Sequence, residues 1–315
     1  RAIDYAERGF PLRELTARAI EGNLEFVTAW PENQRSWLKP DGSLYAVGET
    51  IALPALANTL KKMAAAEQAA AARGRAQGIA AARDRGLQVV LCTGRRFRTT
   101  RRIVGELSLE GPMVVQNGSL VKDAQTGTTL ARNALPRELY RPGLALLRSV
   151  GAPLAYVDDL GDGFDIVCEP PDRGHAFQAA YVEANTKTTL VVDSLDEIEP
   201  EKVCLLSCMA DAESLKKLEV RIGTKLGDRV RTHFLVNTSF EGHILEIASA
   251  EAGKWPAVRR LAQAQGIEND QILAIGDDEN DVELVEKAGL GVAMRNAVAT
   301  VREVADFITS SNAED

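Results

Sequence analysis

Cysteine, histidine and aromatic residues are scarce in this chain of 315 residues. It has four cysteines and three histidines, and Phe, Trp and Tyr together make up 5% of the sequence. Four cysteines do not make a disulfide framework in a chain of this length. Cys204 and Cys208 lie four residues apart in an apolar run, where a strand would hold them roughly 13 Å from each other. The three histidines show no metal-ligand spacing. These scarcities argue against a disulfide-rich protein and a zinc protein, and they favour buried thiols in a reducing cytoplasm.

Long apolar runs and excess positive charge are missing as well. No run reaches the ~18 to 20 apolar residues that a bilayer-spanning helix needs. The net charge of -8 disfavours a general role in binding nucleic acid or an anionic membrane. With 45% hydrophobic and 26% charged residues, the chain has enough apolar surface for a packed core. We therefore expect neither nucleic acid nor membrane as a partner, and the oligomeric state stays open.

The pattern of the sequence changes near residue 75. Residues 53–85 are rich in alanine, the best helix former, and predict a long helix that is broken or bent near Gly74 and Gly78. After Gly86, strand and helix patterns alternate, which predicts a Rossmann-like parallel sheet with helices on both faces. The β-branched run LQVVLCTG is predicted to be a strand buried on both faces.

The alternation is interrupted by an inserted α/β unit. Residues 134–240 carry their own short strands and helices, and HILEIA then opens a last block of the main pattern. The predicted organisation is α/β, with a helical segment over residues 1–75. A core follows over residues 76–133 and 241–315, with an α/β cap at 134–240 between its two parts.

Three motifs carry candidate chemistry. The first, Cys92-Thr93-Gly94-Arg95, follows a predicted strand and precedes a helix. In open α/β sheets ligands bind at that edge, and a Thr hydroxyl with helix N-terminal amides can hold an anion. The alternative interpretation is a Thr that caps the helix.

The second motif is GDDEND at residues 276–281, directly after the apolar run ILAI. Four acidic residues and one Asn at a strand end form an oxygen-rich site suited to Mg²⁺. The alternative is a solvated acidic first turn that complements the helix dipole. The third motif is Lys254 at the start of an amphipathic helix, where it opposes the dipole. A phosphate-binding role explains it, and a surface lysine is the alternative.

Together the three motifs resemble the haloacid dehalogenase superfamily, in particular its Cof-type phosphatases with an inserted α/β cap of subfamily IIB. The resemblance covers roughly residues 76–315. The segments that carry it are IAAARDRGLQVVLCTGRR, PMVVQNGSLV, GDDENDVEL, AGLGVAMRNA and DFITSSNAED.

The resemblance implies roles for the motif residues. Thr93 matches the hydroxyl that grips the transferring phosphoryl group, and Lys254 matches the lysine that neutralises it. Asp277 matches the Mg²⁺-binding carboxylate, while Asn280 and Asp281 match residues that brace the metal and the lysine. Thr93, Lys254 and Asp281 are therefore the expected catalytic residues, and Asp277, Asn280 and Asp281 the expected metal ligands.

The resemblance also implies a substrate and its contacts. A small phosphorylated metabolite, such as a sugar phosphate, is expected to contact Gly94, Arg95, Asn117 and Asn280.

One family motif is missing from the chain. The family's first strand ends in Asp-x-Asp-Gly-Thr, whose first Asp attacks phosphorus, and it should lie roughly thirty residues before Thr93. That interval contains no Asp between Asp41 and Asp84. The nearest imitation, Lys39-Pro40-Asp41-Gly42, has Lys in the nucleophile position and is predicted to be a turn. The resemblance is therefore to a family fold without its first strand.

Residues 1–75 resemble a different family. RGFPLRELTARAI and LKPDGSLYAVGETIALPALANTLKKMA are similar to part of the γ-glutamyltransferase large subunit, without that enzyme's Thr-headed catalytic subunit. The chain is thus interpreted as a fusion of such a fragment with a phosphatase body.

Three functions follow as hypotheses. The first is a Mg²⁺-dependent phosphatase whose activity is reduced or absent because the nucleophilic Asp is missing. The second is a non-catalytic protein that keeps the phosphate and metal pocket, and the third is a γ-glutamyltransferase remnant.

Overall fold

The chain divides into two units between Gln88 and Val89. The computed structural model describes residues 2–71, 75–158, 163–170, 174–237 and 242–311. The first unit comprises residues 1–88, 294–296 and 307–315, and the second comprises residues 89–293 and 297–306. Within the described ranges, no helix is both long and apolar enough to span a bilayer.

The first unit is mainly helical. Its helices are α1 (Ala2–Arg8), α2 (Glu14–Gly22), α3 (Leu24–Ala29), α4 (Pro31–Trp37), α5 (Pro54–Ala71) and α6 (Arg75–Arg83). Strands β1 (Phe10–Pro11) and β2 (Thr50–Ile51) pair antiparallel, and Phe307–Ile308 forms another short strand. A small apolar core gathers Leu12, Ile20, Val27, Leu38 and Ile51.

The alanine-rich segment forms two helices, α5 and α6, as its composition predicts. The predicted break near Gly74 falls in residues 72–74, outside the described ranges. Helix α6 continues through Gly78, so the helix is not broken at that residue: one glycine costs a helix only about 1 kcal/mol relative to alanine.

The second unit contains strands β3 to β13. They are β3 (Pro112–Val115), β4 (Leu120–Asp123), β5 (Thr129–Arg132), β6 (Pro153–Val157), β7 (Ile166–Cys168), β8 (Thr189–Val191), β9 (Val203–Ala210), β10 (Val230–Asn237), β11 (Gly242–Ser249), β12 (Leu273–Gly276) and β13 (Leu290–Ala293).

The same unit contains the later helices. They are α7 (Phe97–Glu106), α8 (Arg137–Arg148), α9 (Ala176–Ala184), α10 (Ala212–Leu226), α11 (Lys254–Ala264), α12 (Val282–Lys287) and α13 (Ala299–Val304). Short 3₁₀ helices cover Gln116–Gly118, Thr186–Thr188, Leu195–Glu197, Pro200–Lys202, Gly227–Arg229, Asn269–Gln271 and Glu279–Asp281.

A six-stranded sheet dominates the second unit. Its order is β10-β11-β9-β6-β7-β8, antiparallel except for the parallel pair β7/β8. Helices α8 and α10 cover one face through apolar residues such as Leu144 and Leu218, while α9 covers the other through Val182. Cys204 and Cys208 are buried on β9 as free thiols, as the sequence predicts.

The boundary of the inserted unit differs from the expected one. HILEIA was expected to open the second part of the core, but it forms most of β11, which lies between β10 and β9 in the six-stranded sheet. Strand β11 therefore belongs by its hydrogen bonds to the sheet of the inserted unit. The division into core and cap otherwise stays a prediction.

The parallel pairing predicted for the core is found over short segments. Strands β12 and β13 pair in parallel, and Cys92 forms one parallel bridge to Val114 of β3. LQVVLCTG is not a strand buried on both faces, so that prediction is wrong. Leu87 and Gln88 are exposed, and residues 89–94 are half-buried. Among the described residues the segment finds a partner on only one edge, and a ladder along both edges is what a fully buried strand requires.

Candidate active site

Thr93 lies in a tight turn at the end of the extended segment 89–92. Its backbone N–H donates to the carbonyl of Val114 at 2.9 Å, and its hydroxyl oxygen accepts from the N–H of Arg95 at 3.1 Å. Helix α7 begins only at Phe97, with Arg96 in the N-cap position and no side-chain cap. Thr93 therefore does not cap that helix, so the capping alternative fails.

Asn117 lies beside this turn in a strained backbone. Gln116, Asn117 and Gly118 have φ values of 49°, 52° and 87°, a left-handed run that is costly for the two residues that are not glycine. Asn117 is fully buried, and its N–H donates to the carbonyl of Thr93 at 3.2 Å. A Cβ on Gly94 would lie 2.7 Å from Asn117 Oδ1, so a glycine is needed there to let the two loops approach.

Lys254 is the first residue of α11 and is buried. Its Nζ donates to Asp281 Oδ1 at 2.6 Å and to Asn280 Oδ1 at 3.0 Å. The Lys254 and Asp281 side chains are each 7% exposed. The alternative of a surface lysine is therefore ruled out, and the lysine joins the second and third motifs in one cluster.

Asp281 has both carboxylate oxygens engaged. While Oδ1 accepts from Lys254, Oδ2 accepts from the backbone N–H groups of Asp277 and Asp278 at 3.2 and 3.3 Å. A Cβ on Gly276 would come within 2.4 Å of Asp281 Cβ, so the loop closes tightly on this side chain. Asp281 thus shapes the acidic loop and holds the lysine.

Asp277 is the carboxylate of the cluster that remains available. No described residue donates a hydrogen bond to it, although its own carbonyl accepts from the N–H of Val298. Its pKa is raised by partial burial, then by the negative charges of Asp281 and Asp278, while Lys254 opposes the rise. Asp277 thus lies under the influence of two further carboxylates and one ammonium, and this excess of negative charge favours a bound cation.

The predicted Mg²⁺ ligands fit the ion only in part. Among the described residues no group of three His, Cys, Asp or Glu side chains is arranged to hold a metal. Asn280 Oδ1 and both oxygens of Asp281 already accept hydrogen bonds. Asp277 fits, because Mg²⁺ in phosphoryl-transfer sites is often bound through one or two carboxylates together with waters and substrate phosphate.

Two expected site residues behave differently from each other. Asn117 accepts from Asn280 Nδ2 at 2.8 Å and so joins the cluster. The exposed side chain of Arg95 has no hydrogen bond or ion pair with a described residue.

Cys92, next to Thr93, is held as a thiol, because burial raises its pKa to about 12. It is therefore no candidate nucleophile.

Glu246 is a residue of the cluster that was not predicted from the sequence. Its Oε2 accepts from Asn117 Nδ2 at 2.8 Å, and the residue is 7% exposed. The signal available in the sequence was a single acid in the apolar run HILEIA. A charged residue at a buried strand position needs a partner.

Comparisons with known proteins match the two parts of the chain separately. Residues 70–315 match the family model described as haloacid dehalogenase-like hydrolase. Residues 1–82 match the model described as gamma-glutamyltranspeptidase.

Among curated proteins, YxeH of Bacillus subtilis, which carries a phosphatase name, is 32% identical over 74% of this chain and 84% of its own length. The pyridoxal phosphate phosphatase YbhA of Escherichia coli is 26% identical, covering 76% of this chain and 86% of its own.

Solved structures share the fold. A haloacid dehalogenase-like hydrolase from Bacteroides thetaiotaomicron aligns with a TM-score of 0.59 and 24% identity, over 74% of this chain and 84% of its own. A sugar phosphatase of haloacid dehalogenase subclass IIB aligns with a TM-score of 0.56 and 17% identity, over 79% and 85%. With the family model spanning residues 70–315 and the cluster around Lys254 in place, the chain belongs to the haloacid dehalogenase-like hydrolases, among relatives that are named as phosphatases.

Proposed function

We propose that the second unit binds the phosphate of a small phosphorylated metabolite, such as a sugar phosphate, and hydrolyses it at most slowly. The observation that carries the proposal is the buried cluster in which Lys254 contacts Asn280 and Asp281, and Asn280 contacts Asn117. Thr93 lies beside Asn117 at the end of the same loop system.

The donors of the cluster suit a phosphoryl group. An ammonium carries three N–H donors, and contacts to Asp281 and Asn280 account for two of those on Lys254. The third is available to a phosphoryl oxygen, and the Thr93 hydroxyl can donate a second hydrogen bond. A buried cation with an oriented amide and a hydroxyl is the kind of preorganised donor set that stabilises negative charge.

Magnesium belongs to the proposal through Asp277. That carboxylate would hold the ion, and the ion would supply positive charge beside the phosphoryl oxygens. The raised pKa of Asp277 supports this role, because partial burial and then the neighbouring carboxylates disfavour its charged form, which a bound cation would stabilise. Asn280 and Asp281 act instead on Lys254 and on the backbone of the loop.

Slow hydrolysis is proposed because no described carboxylate takes the place of the family's nucleophile. The interval where the resemblance requires a strand forms helix α5. In the nearest imitation, Asp41 accepts from the backbone and the hydroxyl of Ser43 in a turn closed by the bond from Lys39 N–H to Ser43 O. Glu49 is paired with Lys39 at 2.7 Å.

A non-catalytic phosphate-binding protein is the second candidate. Helix α5 favours it as well, because it stands where the resemblance requires the strand with the nucleophile. Both candidates share the pocket and differ only in turnover. The γ-glutamyltransferase match ends at residue 82 and includes none of the Lys254 cluster, so no transferase activity is proposed.

Calorimetric titration with inorganic phosphate, with and without Mg²⁺, tests the proposed pocket. We expect saturable binding that Mg²⁺ strengthens in the unmodified chain but not in Asp277→Ala. Binding that is absent under both conditions would overturn the proposal. Binding that Mg²⁺ strengthens equally in Asp277→Ala would overturn the role given to that residue.

A further inference from the structure

Two amide side chains connect Lys254 to a carboxylate of the six-stranded sheet. Lys254 Nζ donates to Asn280 Oδ1 at 3.0 Å, and Asn280 Nδ2 donates to Asn117 Oδ1 at 2.8 Å. Asn117 Nδ2 then donates to Glu246 Oε2 at 2.8 Å. The three hydrogen bonds run in one direction, from the ammonium to the carboxylate.

The chemistry of the two ends fixes the orientation of both amides. An ammonium can only donate and an ionised carboxylate can only accept. If either Asn side chain were rotated by 180°, an NH₂ group would face a donor or a carbonyl oxygen would face an acceptor. The orientation therefore follows from the end groups and does not depend on distinguishing O from N in the amides.

The sheet delivers Glu246 to this position. Successive side chains on a strand alternate between faces, so Glu246 shares a face of β11 with Ile244 and Ala248, which pack in the apolar cluster on the α9 side. Its register partner on β10 is His233, whose Nδ1 lies 3.5 Å from Glu246 Oε2 without a hydrogen bond. Among the described residues, Asn117 is therefore the hydrogen-bond donor to Glu246.

We infer that Glu246 is a positioning residue of the phosphate pocket: it orients Asn117 and, through it, Asn280 and Lys254. The inference rests on the proposed function for the phosphate and on the hydrogen bonds alone for the orientation. Asn117 is fully buried, so no solvent is at hand to replace a lost hydrogen-bond partner. By this inference the inserted unit contributes to the pocket without touching the phosphate.

Nuclear magnetic resonance on the chain labelled with ¹⁵N-asparagine tests the orientation without any ligand. The side-chain amide signals of Asn117 and Asn280 are assigned from their loss in Asn117→Ala and Asn280→Ala. We expect Glu246→Ala to move the Asn117 signals to lower proton shift and to speed their exchange with solvent. Glu246→Gln, which keeps an acceptor oxygen, should leave them near their original positions.

Glu169→Ala is the matched control. Its carboxylate is buried to the same degree but pairs with Arg148 and accepts from the N–H of Leu195. It should leave the Asn117 signals in place. Unmoved signals in Glu246→Ala, or equal shifts in Glu246→Gln and Glu246→Ala, would overturn the inference.

Titration of the same samples with inorganic phosphate separates this inference from the proposed function. We expect Glu246→Ala to weaken phosphate binding by on the order of tenfold, as removal of a supporting partner does in metal sites. Unchanged affinity would overturn the positioning role. If the Asn117 signals move in Glu246→Ala but the unmodified chain does not bind phosphate, the proposed function is overturned and the orientation of the two amides stands.

A reciprocal exchange covers the case in which Glu246→Ala does not fold. Asn117→Asp alone sets two carboxylates against each other, whereas Asn117→Asp with Glu246→Gln restores a donor facing an acceptor at unchanged total charge. We expect the double variant to unfold at higher urea concentration than Asn117→Asp alone. A double variant no more stable than the single one would contradict the contact.

Discussion

At the scale of single residues, the site depends on one buried ammonium among carboxylates. Lys254 is held by Asp281 with both side chains 7% exposed, so removing either partner leaves an unpaired buried charge. Such losses cost more than the pair contributes when intact. We therefore expect the same lysine to matter both for the fold around the acidic loop and for the proposed phosphate binding.

Lys254→Ala is expected to abolish phosphate binding and to lower the free energy of unfolding by about 3 kcal/mol, because Asp281 loses its cation. Phosphate titration and urea unfolding measure the two effects. Lys122→Ala is the matched control, since Lys122 is equally buried and pairs with Asp158. It should destabilise the fold but leave phosphate affinity unchanged. Phosphate binding that persists in Lys254→Ala would refute the role of Lys254.

Substitution of Asp277, unlike that of Lys254, is expected to stabilise the fold. The pKa of Asp277 is raised in the folded chain, so folding favours the protonated form, and this contribution is lost as pH rises through the raised pKa. Asp277→Asn should therefore raise the thermal midpoint at pH 7 without Mg²⁺, and the gain should shrink in acid. Thermal unfolding across a pH series measures it. A variant less stable than the parent at pH 7 would show that burial and the neighbouring carboxylates do not disfavour the charged form of Asp277.

The sequence predicted these contacts better than it predicted the supporting ones. Motif spacing with the family resemblance pointed to Thr93, Lys254 and the acidic loop, because each is local to a strand end or a helix start. Glu246 was not predicted, since its role depends on the register of β11 against β10 and on the face it presents. A strand pattern alone does not fix either of these.

At the scale of secondary-structure elements, regular periodicity was a reliable guide. Helix α11 begins at Lys254 as predicted, and β9 forms from the apolar run that holds Cys204 and Cys208. The prediction that LQVVLCTG is a strand buried on both faces was wrong, because β-branched composition predicts an extended backbone but not a partner for each edge. Its one parallel bridge reaches β3, whose other edge is taken by β4.

The turn after β3 also determines how closely α11 can approach. Gly118 has a φ of +87°, and a Cβ there would lie 2.1 Å from the carbonyl oxygen of Gly253, directly before Lys254. Gly118→Ala is expected to lower the free energy of unfolding by about 3 kcal/mol or more, through strain and overpacking together.

Gly111→Ala is the control for that substitution. Its φ is +80°, but nothing lies within 4 Å of the added Cβ, so it should cost only the backbone term of about 1–2 kcal/mol. Urea unfolding compares the two variants. Equal costs would show that the close approach of the two loops is not needed for stability.

At the scale of the whole molecule, different parts of the chain match two family models. The hydrolase match spans residues 70–315 and the gamma-glutamyltranspeptidase match residues 1–82, while the unit boundary lies between Gln88 and Val89. The sequence placed the change at residue 75 from composition. A unit boundary follows contacts between residues distant in the chain, and composition does not show these contacts.

Helix α5 (Pro54–Ala71) occupies the interval where the resemblance places the family's first strand, and the slow turnover that we propose follows from this. Phosphoryl transfer through an enzyme carboxylate requires that carboxylate in line with the leaving oxygen. Replacing residues 60–70 of helix α5 by a strand ending in Asp-x-Asp-Gly-Thr should raise turnover by orders of magnitude if the pocket is otherwise intact.

Steady-state hydrolysis of p-nitrophenyl phosphate with Mg²⁺, by the unmodified chain beside YbhA as a reference phosphatase, tests the central claim most directly. The expected result is a kcat far below that of the reference, together with measurable inhibition by phosphate of whatever turnover is present. A kcat comparable to the reference, unchanged by Asp41→Ala and lost in Lys254→Ala, would contradict the account, because it would require a nucleophile other than those considered.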